Sequence, residues 1–156
     1  MQKSEIESID NVILYLIWIN EQMIKILINQ SLKCKKKVTQ WTFVIDASNW
    51  NIGEMSKVSM NFAIKLAELS QNNYPGRLNR IFIINVPRMF SLFWSLFKNW
   101  LNKETQERIF IFAKKEIWEP LLKQYIHEDE LPVNFGGINP LIEISTEPVE
   151  IINKVV

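Results

Sequence analysis

Apolar and polar positions change their spacing several times along the chain, and each change marks an element. Residues 9–32 place Ile9, Val12, Leu16, Ile19, Met23, Ile26 and Ile28 at near-helical intervals, with Ser8 positioned to cap the first turn. Leu14 and Trp18 broaden the apolar face, which predicts a helix buried on more than one side. The run Trp41–Asp46 is short, apolar and β-rich, and it ends in the turn cluster Ser48–Gly53, so it reads as a buried strand. Helical spacing returns over 54–72 through Met55, Val58, Phe62, Leu66 and Leu69, until Asn72-Asn73-Tyr74-Pro75-Gly76 stops it.

Arg80–Val86 is apolar at both parities, as expected of a strand covered on both faces, and Pro87 closes it. A helix over 88–101, a strand over Arg108–Phe112 and a helix over 115–127 follow. The tail 141–156 is rich in Ile and Val and is expected to add a short strand or to pack on the surface. This alternation predicts an α/β fold, a mostly parallel β-sheet with right-handed crossover helices, in a single domain spanning 1–156.

Composition narrows the function. Apolar residues make up 47% of the 156 residues, enough for a real core. The nine Phe and six Trp exceed what a core of this size needs, so some rings are expected to line a cavity or meet a partner. Lys and Arg number 18 against 17 acids, a net charge of +1, which supplies no field for nucleic acid. The one basic run, Lys33, Lys35, Lys36 and Lys37, reads either as a solvated helix end or as an attractor for anionic headgroups. Cys34 is the lone cysteine, which fits a reducing, cytoplasmic setting. The first residues carry Glu5, Glu7 and Asp10 and lack the basic start of a signal peptide. The fully apolar run Val12–Ile19 is short of a membrane span, so a soluble protein is expected.

Catalytic signatures are missing. Gly53, Gly76, Gly136 and Gly137 are the only glycines and cannot write a phosphate-cradling loop or a nucleophile elbow. His127 is the only histidine and sits in the polar stretch Tyr125–Glu130, where a solvated helix end is expected; no metal-ligand spacing involves it or Cys34. Asp46, at a strand end, reads as a turn cap rather than a catalytic carboxylate. The chain is therefore read as a non-enzyme with no catalytic residue, metal or cofactor. The segment Met89–Leu101 is the most informative: Phe90, Phe93, Trp94, Phe97, Trp100 and Leu101 share a broad helical face, with Leu92 and Leu96 partly off it. It reads either as a crossover helix packed on the sheet, which needs only one apolar stripe, or as a helix apolar on two sides, one covering a hydrophobic ligand and the other touching membrane.

Here the residues resemble a known family. Asn73-Tyr74-Pro75 with Arg77-Leu78, then Ile83-Ile84-Asn85-Val86-Pro87, Phe97-Lys98 with Trp100-Leu101, Thr105 with Arg108-Ile109, and Leu131-Pro132 with Phe135-Gly136-Gly137 look like the signature of CRAL-TRIO lipid-binding domains. Val44-Ile45-Asp46 fits an earlier strand, and the resemblance covers about 8–140. It resembles the phosphatidylinositol/phosphatidylcholine transfer type without the usual N-terminal helical domain, either as a fragment or as a truncated member with an open pocket. The resemblance implies binding and intermembrane transfer, or sensing, of a phospholipid or other hydrophobic lipid in an apolar pocket. The aromatic segment would be its gate helix.

One strand parity would face that pocket, giving Trp41, Phe43, Ile45, Ile81 and Ile83, joined by Ile111 and by Phe90, Trp94, Phe97 and Trp100 of the gate. Thr105 and Arg108 would meet the headgroup, or Arg108 would instead form a surface ion pair with Glu104 or Glu107. Where phosphatidylinositol-binding members carry Glu after Tyr-Pro this chain has Gly76, and the positions of phosphocholine-holding hydroxyls fall on Trp41 and Phe43. A less polar ligand or a differently held headgroup is implied. Implied partners are the lipid and a transient membrane surface, no nucleic acid, and a second copy through an exposed sheet edge. The alternative is an interaction or scaffold module of the same fold without lipid-transfer activity.

Overall fold

A computed structural model describes residues 3–50 and 57–140. The tail 141–156 and positions 51–56, which hold the expected end of the turn at Gly53 and the expected start of the second helix, lie outside the described residues. The order is α1 (Lys3–Cys34), β1 (Trp41–Asp46), α2 (Lys57–Asn73), β2 (Leu78–Ile84), α3 (Phe90–Phe97), a tighter turn at Lys98–Trp100, α4 (Lys103–Glu107), β3 (Ile109–Ile111) and α5 (Lys115–Tyr125). A short helical turn at Val133–Phe135 follows.

Among the described residues the sheet has three strands in the order β1-β2-β3, all parallel. Every step moves in the same direction, so right-handed crossovers place α2 and the α3–α4 connection on one face, and α2 meets α3 there. Helix α5 covers the opposite face. Phe82 and Ile84 of β2 are sealed there against Trp118, Leu122 and Leu131, with Val44, Phe110 and Leu121 packed around them. Phe82 stacks on Phe110 at 5.5 Å and leans on Tyr125 at 5.7 Å.

Several boundaries differ from the sequence expectation: β2 starts at Leu78, β3 spans only Ile109–Ile111 and α5 ends at Tyr125, and three further differences have a local reason. Helix α1 begins at Lys3, so Ser8 lies within it and does not cap it. Its inward line runs through Asn20, Leu27 and Ser31, while Val12, Ile26 and Ile28 of the expected stripe are exposed. Strand β2 ends at Ile84 rather than Val86, because Asn85 takes a left-handed conformation (φ 56°). Its side chain is held there: Oδ1 accepts Trp118 Nε1–H at 2.9 Å and Nδ2 donates to Asp46 Oδ1 at 3.1 Å. The helix expected over 88–101 is regular only to Phe97 and then tightens through Lys98–Trp100.

Helix α1 changes one earlier expectation. The segment Asn11–Cys34 is by length and composition long and apolar enough to cross a membrane, although Val12–Ile19 alone is not. A mostly buried core helix and a signal sequence pass the same test, and only 11% of this window is buried. Helix α1 is tied to the domain where Tyr74 donates its hydroxyl to Glu21 Oε1 at 2.9 Å and where Ser31 Oγ accepts the Val38 amide at 2.9 Å, and Leu27 is buried.

Candidate functional site

Strand register decides which side chains stand together. Phe43 lies beside Ile81 and Ile81 beside Ile109; Ile45 lies beside Ile83 and Ile83 beside Ile111. Residues paired across parallel strands share a face. These two rows form the face opposite α5. None of their members is fully buried, and Ile45 is 46% exposed. The sheet therefore has a sealed side and an incompletely covered apolar side.

Helix α3 lies at the edge of that open side. Its N-terminal turn is set by the Phe90 amide donating to the Pro87 carbonyl at 2.9 Å. Trp50, from the turn after β1, packs edge-on against Phe90 at 5.4 Å and Phe93 at 5.7 Å and so anchors the helix start. Phe93 then stacks on Phe97 at 5.6 Å, and Trp94 tilts on Phe97 at 6.2 Å. The far end is held by Gln71 of α2, whose Nε2 donates to the Trp100 carbonyl at 3.3 Å and whose Oε1 accepts the Asn102 amide at 2.7 Å. Phe90 is buried, whereas Leu92, Leu96 and Trp100 are each more than half exposed. The helix is thus apolar both inward and outward.

A cleft of about 400 Å³ opens between α3 and the ends of β2 and β3. It brings together Phe90, Trp94 and Ile111 of the expected pocket, along with Val86, Pro87 and Arg88. Ile45 and Ile83 lie in the same row as Ile111, and Phe43 and Ile81 in the next, but none of the four borders the cleft. Trp41 sits beyond a register irregularity and tilts on Tyr74 at 6.5 Å, away from α3. Phe97 and Trp100 lie on the α3 segment outside the cleft wall.

The expected headgroup pair stands elsewhere. Arg108 precedes β3, about 10 Å along the strand from Ile111. Its guanidinium donates to the Leu78 carbonyl and to Glu104 Oε1, the latter at 2.7 Å. Thr105 gives its amide to the Asn102 side chain at 2.7 Å, which caps α4. Both residues are engaged in local structure at the strands' N-terminal end, away from the cleft.

Three contributions escaped the sequence reading. Arg88 places a cation at the cleft that periodicity passes over. Trp50 anchors α3, and an indole inside a polar turn was the available signal. Asp46, Asn85 and Trp118 join the ends of β1 and β2 to α5. Burial pushes the Asp46 carboxyl up, but hydrogen bonds from the Ser48 amide and the Asn85 side chain outweigh it and hold it below its ordinary value. Asp46 Oδ1 accepts that Ser48 amide at 2.9 Å, the turn-capping role. His127 is exposed beside Asp129. Among the described residues no group of three His, Cys, Asp or Glu side chains could hold a metal ion.

Comparison with known proteins agrees with this architecture. The family model described as the CRAL/TRIO domain matches residues 1–137. The chain is 33% identical over 119 residues to the Phosphatidylinositol/phosphatidylcholine transfer protein SFH7 of Arabidopsis thaliana, covering 76% of this chain and 21% of that protein. It is 31% identical over 107 residues to SFH12 of the same plant, a protein of the same description, covering 69% and 19%. The chain thus spans about a fifth of the length of these relatives. The crystal structure of Sfh5 superposes with a TM-score of 0.53 at 16% identity, covering 77% of this chain and 43% of that one, a likeness of fold alone. The chain belongs to the CRAL/TRIO domain family.

Proposed function

We propose that this chain is a non-enzymatic lipid-binding domain that takes up a phospholipid or other hydrophobic lipid and transfers it between membranes or senses it. The observation that carries this reading is the asymmetry of the sheet: one face sealed by α5, the other an incompletely covered apolar floor beside the two-sided apolar helix α3. The transfer activity named for the Arabidopsis relatives supports it.

Energetics explain why such a device is needed. A two-chain lipid carries on the order of 30 methylenes, each worth about 0.8 kcal/mol out of water. A carrier must offer a surface nearly as apolar as the bilayer. The 400 Å³ cleft falls in the range of small-ligand pockets. In this reading α3 swings off the sheet as a gate and joins the cleft to the rows of Ile81 and Ile83, with Phe43 and Ile45 beyond them. Its exposed Leu92, Leu96 and Trp100 meet the membrane as it opens. Trp41 borders the far end of that floor. Arg108 and Thr105 take the headgroup once Glu104 is exchanged for it. The setting is cytoplasmic with transient membrane contact, in one domain over 1–156, and the edge of β1, which no described residue pairs, is the place where a second copy would add.

Organic extraction of the purified protein followed by lipid mass spectrometry tests the reading. A stoichiometric lipid, lost in a folded Phe97→Asp variant, is expected. A protein that comes out empty and transfers nothing between vesicles is instead an interaction module of the same fold.

A further inference from the structure

The chain is nearly neutral overall, yet its cations are not evenly spread. The last turns of α1 and the loop to β1 enclose a groove of about 480 Å³. Ile28 and Leu32 lie on its apolar wall, and Lys35, Lys36, Lys37 and Arg77 ring it. Leu32 is 73% exposed and Ile28 55%. The two are four residues apart, so they form one stripe that runs into the lysines.

The loop is built rather than trailing. Lys35 turns the chain with φ 51°. Ser31 Oγ donates to the Leu27 carbonyl at 2.7 Å and accepts the Val38 amide at 2.9 Å, which pins the loop's far end back on the helix. Lys33, Lys35, Lys36 and Lys37 are all exposed and form no ion pair with a described residue, unlike Arg108, Lys115 and Lys123. Uncompensated cations around an exposed apolar stripe serve two needs at once. The lysines attract anionic headgroups while Ile28 and Leu32 enter the acyl boundary. An anion in solution would reward only the first.

We propose that this groove docks the domain on an anionic bilayer surface. It lies where β1 and β2 begin, whereas the α3 cleft lies where β2 and β3 end, about 20 Å away along the strands. Docking at the groove is therefore separate from lipid exchange at α3, and it rests on the carrier reading only for the need to meet a membrane.

Flotation of the full chain with phosphatidylcholine vesicles, with and without phosphatidylserine, tests the assignment. The variant Lys35→Gln/Lys36→Gln/Lys37→Gln is expected to lose about a hundredfold in partition onto phosphatidylserine vesicles and little on phosphatidylcholine alone. Leu32→Ser is expected to lose about tenfold on the same vesicles. A control, Lys57→Gln/Lys103→Gln/Lys114→Gln, is expected to float nearly as the parent does. Undiminished flotation of the lysine variant overturns the proposal, as does an equal loss in the control. Competition by inorganic phosphate at low concentration also overturns it, because that marks a site for free anions. Lipid extracted from the same preparations keeps the two readings apart: an empty parent protein counts against the carrier, while unchanged flotation of the variant counts against the groove alone.

Discussion

Neighbouring residues of β2 point to opposite faces and so should respond oppositely to truncation. Phe82 is wholly buried, with Phe110 stacked on it and Tyr125 leaning on it. Phe82→Ala should cost about 4 kcal/mol, the usual range for emptying a sealed aromatic site. Ile83 stands one residue on, on the face where no described row member is fully buried. Removing its three outer carbons would cost about 2.4 kcal/mol if it were fully sealed, at about 0.8 kcal/mol per carbon. Its partial exposure cuts this to about 1 kcal/mol. Urea denaturation of lipid-stripped protein measures both, provided the slopes agree with the parent. Adding lipid should then raise the stability of the parent by mass action and that of Ile83→Ala by less. If Ile83→Ala costs as much as Phe82→Ala, both faces are packed core and no room for a guest exists above the sheet.

Other outcomes follow from particular contacts. Trp50→Ala should loosen α3, seen as faster amide exchange across Phe90–Phe97 with the amides of α5 unchanged. Gly137→Ala should lower stability by about 2 kcal/mol, because an added Cβ would collide with the Leu131 carbonyl oxygen; an unchanged melting temperature would contradict that packing. The Asp46 carboxyl is held below its ordinary pKa, so its contribution is present above the unfolded value and is lost as pH falls through the folded one. Asp46→Asn should therefore flatten the acid side of the stability profile at those pH values, measured by thermal melts.

Much of this architecture was legible in the chain. The apolar run at both parities in Arg80–Val86 announced a central strand, although only one of its two sides is sealed, and the segments Asn73–Leu78, Ile83–Pro87 and Leu131–Gly137 carried the family resemblance. Which parity is sealed could not be read locally. It depends on Trp118 and Leu122 arriving from α5 to cover Phe82 and Ile84. The end of β2 moved because Asn85 bonds to side chains 39 and 33 residues away, a tertiary preference that overrides the β-propensity of Val86. Periodicity overestimated the inward stripe of α1, since Ile26 and Ile28 turn outward while Asn20 turns in and satisfies itself on the Leu16 carbonyl. The pairing of Arg108 with Glu104 was one of the two roles its charge and spacing offered, whereas its bond to the Leu78 carbonyl depends on the neighbouring strand and was not legible.

The central claim is that an oily guest lies on the open face of the sheet. Isotope-filtered NOE spectra of the protein loaded with a phospholipid address it directly, through contacts between acyl-chain protons and isoleucine methyls. Contacts at Ile81, Ile83 and Ile111, with none at Ile84 on the sealed face, are predicted. Acyl-chain contacts absent from all three, in a sample that demonstrably holds the lipid, would contradict the account.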